Sequence, residues 1–191
     1  MQSFRTTLRR LTSLSIATGV LLTAGSAAAA SYLYDFSGPA PGTSFVVGDS
    51  LTPNGSTVEF KRFQWSSGTW TALGAATVFA TDNAGGVADE MNLNNINMRI
   101  IPDTPSIYAS YKYADFGGNV NLGVNGELRN TNDLVDVDGD VVGGCDISVS
   151  ETALPWGVQG EVDIDCPAGT TIEKFGFGGQ EFFVDDIFFE D

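Results

Sequence analysis

Three groups of carboxylates in this sequence have the types and spacing to do chemistry. The first is Glu161-Val162-Asp163-Ile164-Asp165, with an acid at every second position. Alternate side chains of an extended strand share a face, so Glu161, Asp163 and Asp165 point the same way. Glycoside hydrolysis needs paired carboxylates, about 5–5.5 Å apart in retaining enzymes. The plainer reading of the same run is the polar face of an exposed antiparallel strand. The second group is Asp185-Asp186, inside Glu181-Phe182-Phe183-Val184-Asp185-Asp186-Ile187-Phe188-Phe189-Glu190. Alternation puts Phe183, Ile187 and Phe189 on one side of that strand and Phe182, Val184 and Phe188 on the other, with one carboxylate on each. A buried carboxylate must be paired, hydrogen-bonded or bound to a metal, and calcium takes oxygen ligands. The alternative is a bulge that turns both carboxylates to solvent or onto backbone amides. The third group, Asp136-Val137-Asp138-Gly139-Asp140, looks like the start of an EF-hand loop, which needs glycine sixth and glutamate twelfth. Counted from Asp136 those places hold Val141 and Ile147; with Gly139 sixth, the twelfth is Cys145. The motif fails in both frames, and a solvated Asp-Gly hairpin fits better.

Aromatic and amide side chains form the other candidate set. Trp65, Trp70 and Trp156, with Tyr108, Tyr111 and Tyr113, have the flat faces on which sugar rings stack. Asn92, Asn95, Asn97, Asn119 and Asn121 have amides that bond hydroxyls. Aromatics of a sandwich more often fill the core. Trp156 sits in a Pro155–Gly157 loop and Trp70 follows a Ser-Gly turn, so these two are the candidates for exposure. Trp70, Trp156, Asn95 and Asn97 are the expected ligand contacts.

The elements that must position these groups are strands. No amphipathic helix pattern is visible, and the 23 glycines punctuate short runs rich in Val, Ile, Phe, Tyr and Thr. That texture predicts an all-β, two-sheet antiparallel sandwich of jelly-roll type. Expected strands are 31–36, 58–64, 70–80, 90–93, 96–101, 106–113, 119–124, 127–129, 141–150, 159–165, 171–177 and 181–190. Asn125-Gly126 and Asp138-Gly139 read as two-residue hairpin turns, since both dipeptides take positive φ cheaply. Pro39, Pro41 and Pro53 mark an early stretch with little regular structure. Gly176-Phe177-Gly178-Gly179 reads as a link between strands and precedes no helix, so it lacks the setting of a phosphate-binding loop.

Residues 1–30 read as a secretory signal peptide. Arg5, Arg9 and Arg10 precede a short apolar run, and Ala28-Ala29-Ala30 offers a cleavage site before Ser31. Residues 31–191 are then one domain, with no membrane span expected once the signal is cut. That domain keeps all 24 acids and six of the nine bases, a formal charge of −18. Such charge repels nucleic acid. The absence of histidine removes His-based triads, His-bound zinc sites and histidine proton switches. Two cysteines in an exported chain suggest one disulfide. Cys145 and Cys166 each fall on the apolar face of their own strand, and a bridge there contributes about 3 kcal/mol on the chain-entropy model.

Two resemblances follow from these residues. The run Tyr32-Leu33-Tyr34-Asp35-Phe36 with Phe183-Val184-Asp185-Asp186-Ile187 resembles the first and last strands of jelly-roll carbohydrate-binding modules. In that family the two strands run side by side, and an acid from each often holds a structural calcium. The resemblance implies Asp35 and Asp185 as calcium ligands. The middle of the chain is similar to secreted bacterial sandwich domains. The run from Glu161 to Asp165 resembles the catalytic strand of laminarinase-type jelly-roll hydrolases, Glu-x-Asp-x-Glu. That implies Glu161 as nucleophile and Asp165 where a glutamate acid belongs. Against it stand the shorter Asp165 side chain, the adjoining Cys166 and the short chain.

The expectation is a secreted or periplasmic, non-catalytic sandwich. It would bind a polysaccharide or cell-surface glycan, or belong to the cell surface or matrix, with a structural calcium. The alternatives are a small glycosidase using Glu161, Asp163 and Asp165, and a structural or adhesive protein without a small ligand.

Overall fold

The computed structural model describes residues 30–53, 55–87 and 89–191. The signal-peptide reading falls outside these residues, apart from Ala30. Fifteen strands are present: β1 (Ser31–Tyr34), β2 (Ser44–Val46), β3 (Ser50–Leu51), β4 (Ser56–Arg62), β5 (Ala75–Phe79), β6 (Glu90–Asn94), β7 (Ile96–Pro102) and β8 (Tyr108–Asp115). They continue as β9 (Val120–Val124), β10 (Glu127–Thr131), β11 (Val141–Val142), β12 (Cys145–Leu154), β13 (Gly157–Asp165), β14 (Phe175–Gly179) and β15 (Phe182–Glu190). A nine-stranded sheet has the order β11-β12-β13-β8-β15-β6-β5-β2, with β1 also on β15; a six-stranded sheet has the order β10-β9-β14-β7-β4-β3. Every pairing is antiparallel. The result is an all-β two-sheet sandwich, consistent with a jelly-roll-like fold.

Period-two patterning builds the core. Val58 and Phe60 of β4, Ile96, Met98 and Ile100 of β7, Val120, Leu122 and Val124 of β9, and Phe175 and Phe177 of β14 are buried from one sheet. Tyr111 and Tyr113 of β8, Val162 and Ile164 of β13, and Met91 and Leu93 of β6 meet them from the other. Tyr111 packs tilted against Phe177 with ring centroids 4.0 Å apart, and Tyr113 stacks on Phe182 at 5.5 Å. These two tyrosines are therefore core, where their hydrophobic rings contribute most. One residue carries the chain from one sheet to the other. Asn95, with φ 55°, joins β6 of the larger sheet to β7 of the smaller, and Gly74 lies so close to its carbonyl that a Cβ there would be 2.1 Å from the oxygen.

The predicted disulfide is present: Cys145 and Cys166 are bridged, with Cα atoms 4.2 Å apart. They follow the register that pairs Asp146 with Asp165, so β12 and β13 bring them face to face. Asn125-Gly126, with φ of 51° and 91°, closes the β9–β10 hairpin as predicted.

Four local expectations are corrected. The run 70–80 is not one strand. The segment after Trp65 curls back, with Gly68 N–H donating to the Trp65 carbonyl, and regular pairing starts only at Ala75. The run 141–150 is broken by Gly143-Gly144, whose φ values of 58° and 86° make the tight turn between β11 and β12. Asp138-Gly139 is therefore not a hairpin tip; it ends a short 3-10 turn, Leu134–Val137, anchored by the buried Leu134 and Val137. Gly176, Gly178 and Gly179 do not link strands: they lie within β14, between β7 and β9.

Candidate functional site

The outer face of the six-stranded sheet carries a trough. Register sets its rows. One row across the strands reads Glu59, Arg99, Gly176, Gly123 and Leu128, and the next reads Lys61, Asn97, Gly178, Asn121 and Asn130. The two glycine positions of β14 face outward because Phe175 and Phe177 take the core positions between them. Gly176 and Gly123 line the trough, and a Cβ on Gly176 would stand 2.6 Å from the Met98 carbonyl oxygen, so the floor there admits no side chain; in the next row a Cβ on Gly178 would stand 2.2 Å from the Ile96 carbonyl oxygen. Removing side chains from the middle of a sheet face leaves a depression between those of neighbouring strands. Trp70, 51% exposed, stands at the trough with Lys61, Asn97, Arg99, Asn121, Glu127, Leu128 and Lys174. Its volume is about 190 Å³. Enclosed small-molecule pockets span about 300–1,000 Å³, so a ligand would lie across this open trough rather than inside it.

The polar groups of the trough are braced. The Asn121 amide lies 3.2 Å from that of Asn97 and 2.6 Å from Asn130 Nδ2. Asn97 Nδ2 donates to the Arg62 carbonyl at 2.9 Å, and Asn130 Nδ2 donates to the Gln64 carbonyl at 2.6 Å. Arg99 Nε donates to Glu59 Oε2 at 2.7 Å, and Lys61 Nζ lies 3.2 Å from the same oxygen. Burial works to raise the Glu59 carboxyl, but its hydrogen bonds to Arg99 and Lys61 outweigh this and hold it below the usual carboxylate range. Lys174 forms no ion pair among the described residues.

The four expected ligand contacts divide. Trp70 and Asn97 meet in the trough. Asn95 sits at the sheet-to-sheet crossing and lines a separate depression beside Leu73 and Val46 on the nine-stranded sheet. Trp156 is 68% exposed at the tip of the β12–β13 hairpin, on that same sheet. Asn119 is structural, accepting the Ser66 N–H and donating to Asn132. Lys61, Arg99, Lys174 and the glycine floor escaped the sequence reading. Their signal was the Phe-Gly-Phe-Gly-Gly alternation of β14, a strand pattern hidden by the habit of glycine as a breaker.

Asp185 and Asp186 lie on the opposite sheet, at a β-bulge where β15 shifts register against β8 between Asp185 and Phe188. Asp186 takes φ 45°. The extra residue resets alternation, so Phe182, Val184, Ile187 and Phe189 all reach the core. The earlier division of faces therefore holds only on each side of the bulge. Both carboxylates point away from the core. Asp186 pairs with Lys112 Nζ at 2.7 Å, and Asp185 Oδ1 accepts the Asp186 N–H at 2.7 Å. Asp185 is only 1% exposed because the loop before β6 covers it, with Gly86 against Oδ2. Glu90 anchors that loop by accepting from Thr81, from Asn83 Nδ2 at 2.6 Å and from Ala84 N–H at 2.8 Å.

The bulge lies where β15 changes edge partners, from β6 at Val184 to β1 at Ile187. Asp35 follows β1 directly, and its Oδ1 accepts from the Ser37 hydroxyl at 2.7 Å and the Ser37 N–H at 3.1 Å. Those bonds hold the Asp35 carboxyl below its ordinary value. Burial pushes Asp185 up to about 7, and the nearby Asp186, Glu90 and Asp35 charges add to this. Asp185 Oδ2 and Asp186 Oδ1 are buried without a hydrogen-bond partner. Two orphaned carboxylate oxygens suit a hard cation. Among the described residues no three or more acids or cysteines gather into a metal-holding set, so backbone oxygens or water would have to complete any shell.

Glu161, Asp163 and Asp165 line the outer face of β13, which pairs residue for residue with β8 and β12 and has no bulge. At about 3.3 Å per residue, the Glu161 and Asp165 backbones lie about 13 Å apart along the strand. Asp163 accepts from the Tyr108 hydroxyl, and Glu161 lies opposite Lys112. Among the described residues no helix is long and apolar enough to cross a membrane. The chain matches no family model, no curated protein and no solved structure.

Proposed function

We propose that this is a secreted or periplasmic, non-catalytic sandwich that binds glycan across the trough of the six-stranded sheet. The observation that carries the reading is Trp70 standing half-exposed beside a side-chain-free glycine floor, with the Asn97 and Asn121 amides next to it. Sugar rings present an apolar face to an indole and hydroxyls to amides, and an open trough admits a chain of them. The disulfide and the signal-like first thirty residues support an oxidising, external compartment. Affinity electrophoresis through gels loaded with a panel of polysaccharides tests the reading. At least one polysaccharide should retard the protein, and Trp70→Ala should abolish the retardation while leaving the melting temperature unchanged. Retardation that survives Trp70→Ala but is lost in Trp156→Ala would move the site to the hairpin tip and overturn the trough.

A structural calcium at the β15 bulge is the second part of the proposal, favoured by the two orphaned oxygens of Asp185 and Asp186. Ligand that binds only the folded state at a hundred times its Kd stabilises by about 2.7 kcal/mol. Calcium should therefore raise the melting temperature relative to chelator, and Asp185→Asn should remove the rise. An unchanged melting temperature on chelation would discard the metal.

A further inference from the structure

Resting on the trough reading above, we infer that the glycan it takes is polyanionic, carrying carboxylate or sulfate groups. The basis is where the few cations of this acidic chain are placed. Residues 31–191 contain six bases: Lys61, Arg62, Arg99, Lys112, Arg129 and Lys174. Four lie on strands of the six-stranded sheet, and Lys174 immediately precedes β14 of that sheet. Only Lys112 belongs to the other sheet, where it is taken by Asp186.

Three of the bases, Lys61, Arg99 and Lys174, line the trough itself. Lys61 and Arg99 share the single carboxylate of Glu59, which leaves that trio with net positive charge. Across the floor, Glu127 is engaged by Arg129 through Oε1 and by the Gly143 N–H through Oε2. Lys174 is left without an acid partner among the described residues. A neutral sugar hydroxyl can accept from the Lys174 ammonium, which lines the same trough as Trp70, but leaves its charge unmatched. A uronate or sulfate group satisfies it with a charge-assisted hydrogen bond. The overall negative charge repels such a ligand at long range, but screening confines that to about 8–10 Å at ordinary ionic strength. The trough lies on the side where the bases gather, so the last approach is favourable.

The test compares matched polymers on the full chain: dextran with dextran sulfate, and methyl-esterified with de-esterified polygalacturonate. At least one anionic member should bind and its neutral counterpart should not; which one binds separates sulfate from carboxylate. Lys174→Gln should weaken that binding about tenfold, as for loss of one charge-assisted bond. Lys174→Arg should keep it, and both variants should melt with the parent protein. Binding of neutral and anionic members alike, abolished by Trp70→Ala, would overturn the inference and leave the trough reading standing. Anionic binding that Lys174→Gln and Lys61→Gln together fail to weaken would also overturn it. If no polysaccharide in the broader panel binds either, the trough reading and this inference fall together.

Discussion

The outer faces of the two sheets are built by the same period-two rule and yet carry opposite chemistry. The strands of the nine-stranded sheet hold ten acids and one base, whereas those of the six-stranded sheet hold two acids and four bases. Eight of the acids of the larger sheet are spread along β12, β13 and β15, and the other two are Glu90 on β6 and Asp115 on β8. The bases of the smaller sheet surround a strip from which glycine has removed the side chains. One face is a solvated surface with a covered carboxylate at its bulge. The other is shaped, with a gap, an aromatic edge and a cation left over. In a chain with so few bases, such placement makes the smaller sheet the proposed ligand face and leaves the larger one its acids.

Breaking each face in turn should sharpen this contrast. The largest expected effect lies at the end of the acidic sheet. Replacing Cys145 and Cys166 together by alanine should cost about 2–5 kcal/mol. For a domain of this size that lowers the melting temperature by about 2–4 °C per kcal/mol. Calorimetry checks the loss, and glycan binding at the trough should persist below the new transition. Next comes the glycine strip of the basic sheet. Gly178→Ala forces a Cβ to within 2.2 Å of the Ile96 carbonyl oxygen and should destabilise by about 1–3 kcal/mol. The neighbouring Gly123→Ala meets nothing closer than 3.5 Å and should leave chemical denaturation midpoints where they were. Equal losses at both positions would show that strand propensity, not the close approach of β7, sets the floor.

Smaller effects come from titration, again on the acidic sheet. Asp115, at the end of β8, is buried and accepts the Gly117 N–H at 2.8 Å. Burial pushes its carboxyl from 3.8 to about 6. Between those values the folded state holds a proton on Asp115 that the unfolded chain has released, so the contribution of Asp115 to stability falls as pH rises from about 4 to about 6. One pKa unit corresponds to about 1.4 kcal/mol, so the fall attributable to Asp115 should be at most about 3 kcal/mol. Asp115→Asn should flatten the curve in that window and raise stability at neutral pH, measured by urea denaturation across the range. The smallest effect belongs to the outer face of β13. Glu161→Gln and Asp165→Asn should shift stability by no more than about 0.5 kcal/mol, as for ordinary surface positions. Reducing-sugar release from polysaccharides should be absent in the parent and in both variants. Release that Glu161→Gln removes would restore the glycosidase alternative and undo the contrast between the faces.

Much of the frame was legible in the residues. Alternation marked β4, β7, β9 and β13 and the core residues they bury, and Asn125-Gly126 announced its hairpin because both residues adopt positive φ there. The cysteines were legible as a pair because each ended an alternating strand on its apolar face. The candidate site was legible only in part. Trp70 and Asn97 could be named as types of residue but not as neighbours, since Trp70 belongs to no regular strand. Asn95 and Trp156 lie apart from them for a geometric reason: Asn95 is the corner between sheets, and the Trp156 hairpin belongs to the other layer. The bulge at Asp186 was one of two open readings. Local sequence does not decide whether an extra residue is absorbed by a kink or by a change of face.

The sequence by itself determined the all-β class, the inward aromatic and aliphatic sets, the disulfide partners and the net acidity. Those follow from local periodicity and composition, which act within a few residues. Only the tertiary structure decided that Gly176 and Gly123 floor a trough and that Arg99, Lys61 and Lys174 gather round it. It also decided that Asp185 is buried by a loop rather than by the core. Each of these depends on register between strands distant in sequence, and register is settled by the packing of the whole sandwich, since slipping one strand by one residue would turn its entire face over.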